Sequence, residues 1–106
     1  MNYRFMRSLL FFDLPSVTKT DHRQYAKFVK YIKSKGFVMM QESVYSKLSL
    51  NETVVDATMK DVKSHLPKDG VISVLTITEK QFASIEHILG ESNTDVVISD
   101  SKVIKL

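Results

Sequence analysis

A chain of 106 residues, 43% hydrophobic and 25% charged, has room for one domain around one core. Three Gly and two Pro exclude a collagen-like or low-complexity chain, and the absence of Cys removes disulfides, thiolate metal sites and cysteine nucleophiles together. The formal charge of +3 is spread unevenly: residues 1–50 hold nine Lys and Arg against three Asp and Glu, net +6, and residues 51–106 hold six against nine, net −3.

Such a basic half suits a face that meets a polyanion, although a solvated helix face produces the same count. Residues 6–12 are nearly continuous in large apolar side chains and close on Asp13-Leu14-Pro15, which predicts a central strand followed by a turn. Thr20 or Asp21 can cap a helix running to Lys35, and Gly36 stands where a helix C-terminus wants a residue that tolerates positive φ. Within that helix Tyr25, Phe28, Val29 and Ile32 share one side, whereas Lys19, Arg23, Lys27 and Lys30 follow the other. Residues 37–40 and 44–48 read as two antiparallel strands around the polar bend Gln41-Glu42-Ser43. Asn51 can cap a second helix whose apolar stripe is Val55, Met59, Val62 and Leu66, ended by Pro67.

Asp69-Gly70 turns the chain into the β-branched run 71–77, a fourth strand. The resulting order, βαββαβ, predicts an α+β, ferredoxin-like domain with both helices on one face of a four-stranded sheet. Residues 4–78 would form its core and 79–106 a C-terminal extension. In that extension Thr78-Glu79-Lys80-Gln81 matches a capping box, residues 85–88 suit helix or strand, and residues 103–106 suit a last edge strand. The uncovered sheet face needs a second layer, and a partner subunit is the simplest cover. No apolar run nears the 18 residues of a spanning helix, and none is followed by a cleavage site, so a soluble, cytoplasmic protein with no membrane partner is expected.

The phosphate-loop, dinucleotide, zinc-protease and serine-hydrolase motifs are all missing, and His22, His65 and His87 are scattered over different segments as surface residues. Asp13 is the informative carboxylate. At the C-terminal end of a central strand it can hold a hard cation such as Mg2+, which neutralises phosphate oxygens and activates water. The plainer role is a hydrogen bond to its own turn. One carboxylate is too few for Mg2+, and a twofold partner can supply the second.

Four pieces in order, Phe11-Phe12-Asp13-Leu14-Pro15, Lys35-Gly36-Phe37, Met40-Gln41-Glu42-Ser43-Val44-Tyr45 and Leu75-Thr76-Ile77-Thr78-Glu79-Lys80-Gln81-Phe82, carry a resemblance. Across nearly the whole chain the sequence is similar to the second CRISPR-associated protein family, in the versions found beside single-effector systems. The resemblance implies a ferredoxin-like homodimer with facing sheets and C-terminal strands crossing to the partner. It also implies binding to the CRISPR integrase subunit and to protospacer duplex DNA, with Mg2+-dependent cleavage of RNA or DNA by some members. The metal-binding, catalytic Asp of the family is here Asp13. Many members place Tyr before that Asp, and this chain has Phe12.

Nucleic-acid contact is assigned to Lys19, Arg23, Lys27 and Lys30, which share a helix face. The preferred function is a DNA-binding subunit of spacer integration. A metal-dependent endonuclease acting on RNA or DNA is the alternative, and a ferredoxin-like interaction module without nucleic acid is the third reading.

Overall fold

Thr18 and Asp21 show how local chemistry starts the first helix. Thr18 Oγ1 accepts the Asp21 N–H at 3.0 Å while Asp21 Oδ2 accepts the Thr18 N–H at 3.0 Å, a reciprocal capping box. The Thr18 N–H holds the Asp21 carboxyl below its ordinary value. The cap therefore precedes Thr20 and Asp21, the expected caps, because Asp21 serves as the third helical residue that reaches back.

The computed structural model describes residues 5–90. Its elements are β1 (Met6–Asp13), α1 (Lys19–Ser34), β2 (Val38–Gln41), β3 (Val44–Ser49), α2 (Glu52–Lys63), β4 (Val71–Thr78) and α3 (Glu79–Ala83). The strands make one antiparallel sheet in the order β2-β3-β1-β4, the ferredoxin-like arrangement expected from the element order. Residues 85–88 belong to neither helix nor strand, and residues 103–106, expected as an edge strand, lie outside the described residues.

Alternation along β1 sorts its side chains. Leu10 and Phe12 enter the helical layer, where they pack with Phe28 and Ile32 of α1, Val62 of α2 and Tyr45 of β3. Phe12 is the centre of this cluster, edge-on to Phe28 at 5.3 Å and stacked on Tyr45 at 5.7 Å. Burying a side chain of this size contributes roughly 2–3 kcal/mol. Phe12, at the position where the resemblance implies Tyr, is thus a core ring.

Arg7, Leu9, Phe11 and Asp13 alternate onto the opposite sheet face, in register with Ile77, Leu75, Ser73 and Val71 of β4. There Phe11, Leu48, Val71 and Leu75 are exposed, the last two by 64% and 51%, so among the described residues no layer covers this part of the sheet.

The second helix is shorter than its apolar stripe suggests. It ends at Lys63, and the Ser64 and His65 N–H groups bond back to the carbonyls of Asp61 and Val62. Leu66 is left half exposed, because a residue preceding proline disfavours the helical region.

Candidate functional site

Asp13 is the last residue of β1 and is exposed on the open sheet face. It stands in a shallow cleft of about 300 Å³ with Phe11, Glu42, Ser43, Val44 and Ser73. One wall is the bend between β2 and β3, where pairing shifts between Met39 and Gln41 and Ser43 adopts φ 64°. That left-handed backbone costs a non-glycine residue roughly 1–2 kcal/mol. Two bonds hold it: the Phe12 N–H donates to the Ser43 carbonyl at 3.0 Å, and the Tyr25 hydroxyl pairs with Ser43 Oγ at 2.9 Å. The core cluster thereby presents Glu42 beside Asp13.

The other boundary is set by Gly70, at φ +109°. A Cβ there would stand 2.6 Å from Leu14 Cδ2 and 2.8 Å from the Asp13 carbonyl oxygen. The absence of a side chain lets the β4 entry close against the end of β1, which fixes the backbone that carries Asp13.

Carboxylate oxygens are the donors Mg2+ prefers, so the chemistry of Asp13 and Glu42 fits that cation. No group of three His, Asp or Glu suited to a metal occurs among the described residues. A complete first coordination shell therefore calls on water, substrate or a second copy of the chain.

Lys19, Arg23, Lys27 and Lys30 are all exposed on α1, and none of them forms an ion pair among the described residues. The structure brings these four together on one helix face but does not bring them to Asp13. The sheet lies between, since α1 packs on the Phe12 side and Asp13 alternates to the other.

A family model described as CRISPR associated protein Cas2 matches residues 6–85. The chain belongs to the Cas2 family. It is 45% identical over 101 residues to a Treponema denticola protein named CRISPR-associated endoribonuclease Cas2, covering 95% of this chain and all of the relative. A Streptococcus mutans relative of the same name is also 45% identical over 101 residues, covering 95% of this chain and 93% of that protein. The Cas2 relative from Ligilactobacillus salivarius is 37% identical over 101 residues. The matched span contains both Asp13 and the whole basic face of α1.

Two features of this Cas2-family chain escaped the sequence. Glu42 joins the Asp13 cleft only through the bulged bend, although its place between Gln41 and Ser43 marked it as a bend residue. His65, one of three scattered histidines, stacks on Tyr31 at 4.1 Å and 14°. No spacing rule links those two positions, since Tyr31 lies in α1 and His65 follows the end of α2.

Proposed function

We propose that this Cas2-family protein is a duplex-DNA-binding subunit of CRISPR spacer integration, working as a cytoplasmic homodimer that bridges integrase subunits. The observation that carries this reading is the separation of cations from carboxylate. Four exposed cations with no ion-pair partner among the described residues line α1, and a phosphate backbone laid along them would be held without reaching the Asp13 cleft on the other sheet face. Phosphate neutralisation of this kind gives affinity and little sequence preference. Family membership supports the integration pathway and the integrase partner. The exposed Phe11, Leu48, Val71 and Leu75 support a second copy as the missing layer.

The relatives are named endoribonucleases, which favours a second activity on the same molecule, cleavage of RNA. The carboxylates of the Asp13 cleft favour a metal-dependent route for it, with DNA as the other substrate. Two copies meeting through their open sheet faces would set one Asp13 towards the other. Mg2+ held there would polarise a phosphate oxygen and lower the pKa of a water nucleophile. The chain's own part would be to hold the cation through Asp13 and Glu42, which share the cleft, and to keep that cleft at the rim of the sheet where a strand can enter.

The test combines sedimentation with duplex titration. The expected species is a dimer of the 12.1 kDa chain that binds unrelated blunt duplexes with similar affinity and loses that affinity steeply between 50 and 200 mM salt. A monomer that shows no salt-dependent retention of duplex would defeat the proposal.

A further inference from the structure

The groove between α1 and the segment after α2 is chemically unlike the Asp13 cleft. It encloses about 300 Å³, at the small end of ligand sites, and its wall includes Gln24, Lys27, Tyr31, Ser64, His65 and Leu66. Among the described residues no carboxylate lines it, whereas the Asp13 cleft holds two and the neighbouring grooves include Asp69. Lys27 supplies a positive charge and Gln24 an amide donor, which suit an anion bearing hydrogen-bonding groups, while the Tyr31 hydroxyl is buried.

His65 is held as a flat plate. One ring face lies on Tyr31 with centroids 4.1 Å apart. The ring Nδ1 donates to the Asp61 carbonyl at 3.0 Å and lies 2.9 Å from Ser64 Oγ, which itself donates to the same carbonyl at 2.7 Å. A proton on Nδ1 leaves Nε2 as an acceptor in the neutral ring. The residue is exposed and lines the groove. An aromatic ring ordered before binding loses little freedom when something stacks on it.

Lys27 belongs both to this groove and to the basic face of α1. Building on the duplex-binding function proposed above, on which it rests, we propose that the groove takes an unpaired nucleotide, its base stacked on the His65 ring and its phosphate met by Lys27. A strand running along α1 would place its frayed or overhanging end in the groove. Stacking tolerates any base, because every base has a π-face.

The experiment uses the full chain with two fluorescent probes, a blunt duplex and the same duplex bearing a short single-stranded overhang. Wild type is expected to bind the overhang probe at least about fivefold more tightly, the lower range for stacking of one base. His65→Ala should erase that ratio, while His65→Phe, which keeps an aromatic plate, should retain it. Because each variant is read as a ratio of two probes, a general loss of folding or of duplex affinity does not imitate the result. Equal binding of both probes by wild type, or a ratio that survives His65→Ala, overturns the groove assignment and leaves duplex binding standing. Failure of both probes to bind removes the duplex reading and this inference together.

Discussion

Arg7 and Glu79 are joined by two parallel hydrogen bonds, Nε to Oε1 at 2.9 Å and Nη2 to Oε2 at 2.6 Å, across 72 residues of sequence. The same guanidinium lies 4.2 Å from the centroid of the Phe82 ring. One side chain of β1 therefore holds both ends of the single turn α3, which begins immediately after β4. Five residues are too few to stay helical without such support.

Arg7→Ala is expected to loosen α3 before the rest of the fold. Amides of residues 80–83 should exchange with solvent many-fold faster, and global stability should fall by roughly 1–2 kcal/mol through lost stacking and charge-assisted bonds. Glu79→Gln keeps the shape and should cost about 0.5 kcal/mol, because Glu79 is partly exposed and the pair is screened. Unchanged exchange in Arg7→Ala would show that α3 is held by something else.

Gly70→Ala tests the link between the β4 entry and Asp13. The added Cβ meets a backbone oxygen at 2.8 Å and carries a disfavoured positive φ, so neither partner can yield cheaply. A loss of roughly 2 kcal/mol or more is expected in urea unfolding. Any metal-dependent activity should fall further than stability explains, since the clash lies on Asp13 itself. A neutral substitution would mean that the turn relaxes freely.

Arg23→Ala combined with Lys30→Ala addresses the α1 face without touching the His65 groove. Duplex affinity should drop about equally for unrelated sequences, and the slope of log K against log salt should shrink by roughly 2 if both contact phosphates. Stability should stay within about 0.5 kcal/mol, because both side chains are exposed and neither forms an ion pair among the described residues. Preserved affinity and slope would return this face to a solvated role.

Asp13→Asn separates scaffold from enzyme, because it keeps size and hydrogen bonding while removing the charge that binds a cation. Mg2+-stimulated cleavage by the purified protein should fall by orders of magnitude, since the Lewis acid and its activated water leave together. Duplex binding should be unchanged, its cations lying beyond the sheet. Spacer acquisition with the integrase should also survive if the protein acts as a scaffold. Acquisition lost while dimerisation and DNA binding stay intact would make Asp13 chemistry part of the pathway, and undiminished cleavage would place the nuclease centre elsewhere.

What the sequence determined by itself is whatever depends on neighbours along the chain. The apolar run ending in Asp13, the 3.6-residue spacing of Phe28 and Ile32 against Lys27 and Lys30, the Asn51 cap and the Gly36 and Gly70 turns are local energetics, and all are in place. Element order then named the fold, since few connections join βαββαβ into one sheet. Local rules failed where two candidates competed for one position. Thr18 outranked Thr20 and Asp21 as a cap because the reciprocal bonds of a box satisfy two backbone donors, and Leu66 dropped from the α2 stripe because Pro67 restricts it. Which functional groups share space follows from how the elements pack. Strand register and the side chosen by the helices put the α1 cations and Asp13 on opposite faces of the sheet, the bulge brought Glu42 to Asp13, and packing of α1 on α2 laid His65 against Tyr31. Those pairs are close because separate elements bury a common core, and such proximity leaves no periodic trace in one dimension.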